Sequence, residues 1–196
     1  RSINDPLTTN EINISGFLNM LSASKEAKVK RFVYAASSST YGDSTELPKV
    51  EERIGKPLSP YAVTKYVNEL YANVFASLYG IEVIGLRYFN VFGKHQDPEG
   101  AYAAAIPKFI RSFINLESPI IHGNGLQTRD FTYIENVVLA NQLAIATKNP
   151  GALNTVYNIA FGESIKVSEL AIILRDLLGK FNPSINNIPI KYGPER

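Results

Sequence analysis

Three kinds of side chain that can transfer or bind a proton lie in the first third of the sequence. Tyr61 and Lys65 are four residues apart, so both side chains share one face if this segment is helical. A neighbouring cation favours the phenolate form of a tyrosine, and a phenolate can take a proton from an alcohol. The serine run Ser37–Ser39 precedes them and offers hydroxyls that could bind the same oxygen. This spacing indicates acid–base chemistry on an alcohol.

The pattern has an ordinary alternative, in which Tyr61 is an exposed helix aromatic and Lys65 a solvated charge, so the neighbouring elements decide. Apolar runs predict buried strands over 31–36 and 81–87. Helix-length segments separate the predicted strands, and strand–helix–strand order indicates a parallel sheet covered on both faces. Ligands of such sheets bind beyond the carboxyl ends of the strands, where the serine run follows the first strand.

The remaining elements are assigned from apolar periodicity and from helix-terminating residues. The predicted helices cover residues 7–28, 60–79, 102–115, 134–147 and 167–179. The further strands cover 119–133, broken by Gly123-Asn124-Gly125, then 155–160 and 188–192. We therefore predict an α/β fold: residues 1–101 form the second half of a doubly wound, Rossmann-type parallel sheet. Residues 102–196 form mainly a smaller α/β lobe, with the chain crossing back to the sheet around 126–160.

Composition excludes several classes of function. The 196 residues carry a net charge of +2 and no cysteine. A charge this small argues against a nucleic-acid partner, and no apolar run approaches the ~20 residues of a membrane span. The lack of cysteine excludes disulfides and thiolate sites and fits a reducing compartment, so we expect a cytoplasmic protein. His95 and His122 have no companions at ligand spacing, so no metal site is predicted.

A glycine-rich turn after a strand is missing from the sequence, although a dinucleotide needs such a turn to bring backbone amides against its pyrophosphate. The sequence also begins without methionine. We therefore expect a fragment whose upstream part carries the turn.

Four segments carry a resemblance to a known family: Ala36–Gly42, Pro57–Lys65, Gly85–Gly93 and Thr128–Phe131. In this order they resemble the extended short-chain dehydrogenase/reductases, the NAD-dependent epimerases and dehydratases of nucleotide sugars. Within that family the sequence looks most like the UDP-N-acetylglucosamine 4-epimerases of bacterial surface-polysaccharide pathways, which make lipopolysaccharide or capsule. The resemblance covers essentially the whole chain and implies a NAD-binding domain over 1–101 and a substrate-binding lobe over 102–196.

The resemblance implies a role for each matched position of the predicted NAD-binding domain. Tyr61 would be the general base and acid, and Lys65 would hold the nicotinamide ribose and favour the phenolate. Ser37 and Ser38 would be the catalytic hydroxyls. The remaining cofactor-binding positions implied are Ala36, Tyr88, Val91 and Ile12, the last through its backbone because relatives often place a polar residue there.

The resemblance also implies a set of substrate-binding residues. Arg129 would bind the diphosphate, because a guanidinium offers paired donors to phosphate oxygens; the alternative is a surface ion pair with Asp130. Ala104 and Ala105 would leave room for an N-acetyl group, or would simply be packing residues. The full set implied is Ser37, Ser38, Ser39, Asn90, Ala104, Ala105, Ile120, Ile121, His122, Arg129 and Arg196.

The implied reaction is 4-epimerisation of a UDP-hexose, interconverting UDP-GlcNAc and UDP-GalNAc through a 4-keto intermediate, with NAD taking and returning the hydride. Two related reactions stay open: UDP-uronic-acid 4-epimerisation and nucleotide-sugar 4,6-dehydration. Dehydratases of the family carry an Asp-Glu pair where Ser38 and Ser39 stand here, so the sequence favours epimerisation. A different class, a non-catalytic nucleotide-sugar-binding fragment, also stays open. The resemblance further implies a homodimer through helices 7–28 and 60–79.

Overall fold

The computed structural model describes residues 2–100 and 104–195. It divides into two compact units, the first formed by Arg1–Phe89 and Asn136–Ile159, the second by Asn90–Glu135 and Ala160–Arg196. The chain thus passes from the first unit to the second after residue 89, twelve residues before the predicted boundary at 101. The segment that returns to the first unit covers residues 136–159, whereas 126–160 was predicted. The reason is a strand over 90–92, which pairs with residues 131–133 of the second unit.

The helices are α1 (Pro6–Asn10), α2 (Gly16–Glu26), α3 (Pro60–Tyr79), α4 (Ala105–Ile114), α5 (Ile134–Ala146) and α6 (Val167–Gly179). The strands are β1 (Arg31–Ser37), β2 (Glu82–Tyr88), β3 (Asn90–Phe92), β4 (Ile120–His122), β5 (Thr128–Arg129), β6 (Phe131–Tyr133), β7 (Thr155–Ile159), β8 (Ile165–Lys166) and β9 (Lys191–Gly193). Short 3₁₀ turns cover Ser38–Tyr41, Pro150–Ala152 and Pro183–Asn187, and a π-helical segment, Glu11–Ser15, joins α1 to α2.

The sheet of the first unit is parallel, in the order β1-β2-β7. One face packs against α2 and α3 through Leu21, Ala72 and Phe75. The other face packs against α5 through Ile84, Leu86 and Ala144. Burial of apolar side chains on both faces explains why β1 and β2 were predicted from uninterrupted apolar runs, and it confirms the predicted α/β class.

Helix α3 has signals at both ends. The Ser59 side chain accepts a hydrogen bond from the backbone amide of Ala62, Pro60 occupies the first turn, and Gly80 ends the helix in the left-handed conformation at φ 69°. These are the residues that favour a helix start and stop. The predicted range 60–79 and the observed range agree, whereas the single helix predicted over 7–28 is interrupted by the π-helical segment.

The second unit has its own core, in which α4 and α6 pack together through Phe109, Phe113 and Leu170, with Ile121 of β4 beside them. Its strands pair in twos: β3 with β6 and β4 with β9 in parallel, and β5 with β8 antiparallel. Among the described residues, no helix has the length and apolar character needed to cross a membrane.

Candidate active site

Helix α3 brings the proposed proton-transfer pair to the carboxyl end of β1. The Lys65 ammonium donates a hydrogen bond to the Ala35 carbonyl over 3.0 Å and lies 5.8 Å from the centre of the Tyr61 ring. Burial lowers the pKa of Lys65 below its ordinary value, because the charged ammonium is partly removed from water. The pair predicted from the i, i+4 spacing is therefore brought together, with the cation beside the aromatic ring.

The serine run forms a compact turn where β1 ends. The Ser37 hydroxyl oxygen accepts hydrogen bonds from the Ser39 amide at 3.2 Å and from the Ser39 hydroxyl at 2.9 Å. Thr40 donates to the Ser37 carbonyl at 2.8 Å, while Ser38 begins the 3₁₀ turn. Within the described residues, no hydrogen bond joins the Tyr61 hydroxyl to Lys65 or to these serines. Tyr61 as a whole residue is 38% exposed.

A polar contact missed in the sequence ties the π-helical segment to the start of α3. Asn13 donates to the Thr64 hydroxyl at 3.0 Å, and Thr64 donates to the Tyr61 carbonyl at 2.8 Å. A π-helical turn marks many functional sites. The signal for this contact in the sequence is the polar Asn13 between two apolar residues, Ile12 and Ile14.

The other predicted cofactor-binding residues lie in four different elements and differ in burial. Ala36 is buried in β1, and Tyr88, the register partner of Ser37, donates its hydroxyl to Asn141 at 3.0 Å. Ile12 is exposed in the π-helical segment. Val91 lies half-buried in β3 of the second unit.

The donors of the first unit fit the ribose end of a nicotinamide dinucleotide. Lys65 uses one N–H on Ala35 and keeps two more, since an ammonium has three donors. The Tyr61 hydroxyl makes no hydrogen bond within the described part of the chain. The pyrophosphate end of such a cofactor finds no glycine-rich turn in these 196 residues.

The second unit contains a cleft of about 680 Å³. The predicted substrate residues that line it are Asn90, Ala104, Ala105, Ile120, Ile121, His122 and Arg129. Arg196 lies outside the described residues. A polar stripe not predicted from the sequence also lines the cleft; it runs along α4 through Lys108, Arg111 and Ser112 to Asn115, the residue that follows the helix. Their three- and four-residue spacing, opposite the buried Phe109 and Phe113, was the signal for a polar helix face.

Two of the predicted polar side chains of the cleft are held by backbone carbonyls. Asn90 donates to the Asp130 carbonyl at 2.8 Å, and Arg129 donates to the Thr128 carbonyl at 2.8 Å. The carboxylate of Asp130 accepts from the amides of Phe161 and Gly162. The surface ion pair considered for Arg129 and Asp130 therefore does not form, and the guanidinium keeps donors for a ligand.

The cationic groups of the cleft differ in their pairing. Arg111 pairs with Glu99 at 2.6 Å, whereas Lys108 and Arg129 have no ion pair among the described residues. Glu117 is the carboxylate in the cleft lining. The described lining thus favours an anionic ligand.

Known proteins similar to this chain identify its family. Residues 1–160 match the model of the NAD dependent epimerase/dehydratase family. A putative UDP-glucose 4-epimerase of Methanocaldococcus jannaschii is 38% identical over 189 residues, covering 96% of this chain and 60% of that protein. The chain therefore belongs to the NAD-dependent epimerase/dehydratase family, as its sequence motifs predicted.

Two solved structures are similar over the whole chain and over 60% of their own lengths, each with a TM-score of 0.91. One is a UDP-N-acetylglucosamine 4-epimerase from Methanobrevibacter ruminantium M1 in complex with UDP-N-acetylmuramic acid, at 39% identity. The other is a UDP-glucose 4-epimerase from Thermotoga maritima with UDP-glucose, at 33% identity. The chain thus spans about 60% of the length of the relatives it matches, and the Rossmann-type fold and the NAD dependence of the family are confirmed.

The lowered pKa of Lys65 predicts a pH-dependent stability. In the folded protein this pKa lies below its ordinary value of 10.5 because of burial. Between the two values the unfolded chain binds more protons than the folded one, so the free energy of unfolding should rise with pH in that window. Denaturant unfolding from pH 8 to pH 10.5 measures the rise, which Lys65→Met should remove. Lys180→Met, at an exposed lysine, is the control; parallel curves for the wild type and Lys65→Met would contradict the burial of this ammonium.

Proposed function

We propose that the protein containing this chain catalyses NAD-dependent 4-epimerisation of a UDP-hexose, interconverting UDP-GlcNAc and UDP-GalNAc for surface-polysaccharide synthesis. The main support is the position of Lys65, a partly desolvated ammonium bound to the end of β1 and beside the Tyr61 ring. A proton-transfer tyrosine at the carboxyl end of a parallel strand suits a substrate alcohol. Family membership supplies the class of reaction.

Each catalytic residue has one task in this proposal. Tyr61, as the phenolate, takes the proton of the sugar 4-hydroxyl and returns it after the hexose has turned. Lys65 favours the phenolate and donates to the cofactor ribose. The serine hydroxyls bind the sugar oxygen and hold it near the phenol. NAD, when bound, supplies the acceptor and donor of the hydride.

The cleft of the second unit is proposed to bind the nucleotide diphosphate. Arg129 provides a guanidinium with unused donors, suited to phosphate oxygens. The side chains of Ala104 and Ala105 are small and leave room for an acetamido group. Asn90 and the extended segment Ile120–His122 complete the proposed contacts.

Dehydration is the less favoured reaction, because elimination of water needs a further acid and base, and Ser38 and Ser39 are neutral hydroxyls. A UDP-uronic acid is the second candidate substrate. The observation that favours it is Lys108, a cleft cation without an ion pair among the described residues, which could bind a sugar carboxylate. Parallel assays with UDP-GlcNAc and UDP-glucuronic acid separate the two, and nucleotide-sugar binding without either product would favour a non-catalytic binding protein.

Replacement of Tyr61 by phenylalanine tests the reaction. Loss of the hydroxyl should reduce conversion of UDP-GlcNAc to UDP-GalNAc on the order of 10³-fold, the size of a general-base contribution. The Kd for UDP should stay nearly unchanged, because the ring and helix persist. Product formation by chromatography and UDP affinity by calorimetry are the measurements. Tyr66→Phe, on the same helix, is the control; loss of UDP binding in Tyr61→Phe would mean that Tyr61 is structural.

Replacement of Arg129 by alanine tests the diphosphate contact. A charge-assisted hydrogen bond contributes about 1.5–3 kcal/mol, so the Kd for UDP should rise roughly tenfold to a hundredfold, with a smaller effect on uridine, which lacks the phosphates. Arg175→Ala, an arginine outside the cleft that lies beside Asp176, should leave both affinities unchanged. Equal weakening of UDP and uridine would argue against this role.

We also propose a homodimer through the helices predicted at 7–28 and 60–79. An apolar stripe on α3 is exposed: Val63, Leu70, Val74 and Leu78. A second copy would bury this stripe, and a charge within it should prevent association. Sedimentation velocity should show a dimer for the wild type and a monomer for Val74→Glu, with Leu116→Glu in the second unit as the control. A monomeric wild type would refute the proposal.

A further inference from the structure

The first unit contains a buried ion pair that the proposed chemistry does not use. Arg87, near the carboxyl end of β2, donates through Nε and one terminal nitrogen to both carboxylate oxygens of Glu69 on α3, at 2.9 and 2.7 Å. Each side chain is only 4% exposed. The two parallel hydrogen bonds fix the orientation of the guanidinium plane as well as its distance from α3.

The other terminal nitrogen of Arg87 reaches two further segments. It donates to the Tyr41 hydroxyl and to the Glu51 carbonyl, both at 3.0 Å. Tyr41 in turn donates to the Asn158 side chain on β7 at 2.7 Å. One guanidinium thus connects β2 to α3, to the 3₁₀ turn and to the loop between them.

The connected segments are those that carry the proposed catalytic groups. Glu69 lies one helical turn beyond Lys65 and two beyond Tyr61, so the three side chains share one face of α3. Tyr41 ends the turn that begins after Ser37.

The two ends of the loop between the 3₁₀ turn and α3 are also held close together by hydrogen bonds. The amide of Asp43 donates to the Lys56 carbonyl, and the Asp43 carboxylate accepts from the Lys56 amide at 2.7 Å. At Gly42, a Cβ atom would lie 1.8 Å from the Lys56 carbonyl oxygen, so only glycine permits this approach.

We propose that Arg87 is a positioning residue that sets the distance between the serine turn and the Tyr61–Lys65 pair. This inference rests on the proposed function, since it assigns a role within the same site. Among the described residues, the Arg87 side chain makes no hydrogen bond with the serines or Tyr61; it acts through Glu69 and Tyr41.

A purely stabilising role does not account for this arrangement, because buried ion pairs often add little net stability compared with apolar residues. The same two strands carry a second Arg–Glu pair at their opposite end. Arg31 and Glu82 are 2.7 Å apart but are 14% and 22% exposed, and Arg31 otherwise donates to the last carbonyls of α5. The forked contact with three segments belongs to Arg87, and this second pair provides a matched control.

The mildest test is Tyr41→Phe, which keeps the ring and removes the hydroxyl bonded to Arg87. In the full-length protein, kcat with UDP-GlcNAc should fall about 10-fold to 100-fold, since misplacement of a catalytic group by ~1 Å costs up to about 10²-fold. KM should change less than about twofold, because the cleft of the second unit is untouched. Arg87→Lys, which cannot make the forked contact, should lose at least as much.

Hydrogen–deuterium exchange provides a readout that does not depend on activity. Tyr41→Phe should accelerate exchange in residues 38–58 and in the first turns of α3. Tyr157→Phe is the control: Tyr157 is half-buried on β7, packs on the face of the sheet that contacts α5, and its hydroxyl makes no hydrogen bond among the described residues. Tyr157→Phe and Arg31→Lys should leave kcat unchanged.

The outcomes separate this inference from the proposed function. A wild type without epimerase activity would refute the proposed function. The exchange rates of Tyr41→Phe would still test whether Arg87 connects the serine turn to α3. Unchanged exchange in Tyr41→Phe would overturn the inference. So would accelerated exchange with an unchanged kcat, or a rise in KM alone, because either would reduce Arg87 to a structural or a binding role.

Discussion

A buried ion pair between Arg87 of β2 and Glu69 of α3 holds the carboxyl end of the first unit's sheet against that helix. Removing one partner of such a pair leaves an uncompensated buried charge, at a cost of about 3–5 kcal/mol, so Arg87 and Glu69 constrain each other's elements. Burial alone would lower the pKa of Arg87, but the hydrogen bonds and charge interactions with Glu69 and Tyr41 together outweigh it and raise that pKa above its ordinary value. The guanidinium is therefore charged at every pH relevant to the fold.

Successive side chains at the end of β2 contact two different helices, one on each face of the sheet. Neighbouring residues of a strand point to opposite faces: Arg87 contacts Glu69 on α3, and Tyr88 contacts Asn141 on α5. Parallel pairing places Ser37 opposite Tyr88, so the serine turn starts level with the last residue of β2. One register thus fixes the serines relative to both helices, and a shift of one residue would exchange Arg87 and Tyr88 between the faces.

Local signals explain what could be predicted from the sequence. The bounds of α3 follow from Ser59, Pro60 and Gly80, and the apolar runs of β1 and β2 mark a sheet buried on both faces. Strand β3 was not predicted, because three residues show no periodicity and their pairing with β6 depends on a segment 41 residues away. The Arg87 contacts likewise join residues far apart in sequence. The polar face of α4 was readable from spacing, but only the structure gives it a cleft to line.

The cleft shows how the second unit can recognise a ligand with little reorganisation. Asn90, Gln127 and Arg129 each donate to a backbone carbonyl of their own unit, so their orientation is set before any ligand arrives. Fixing polar side chains in advance reduces the entropy lost on binding, and the hydrogen bond to Thr128 leaves the remaining donors of Arg129 free for a ligand. The Asp130 carboxylate does not pair with Arg129, because it accepts hydrogen bonds from the backbone amides of Phe161 and Gly162. A carboxylate next to Arg129 in sequence therefore does not compete with an anionic ligand for the guanidinium.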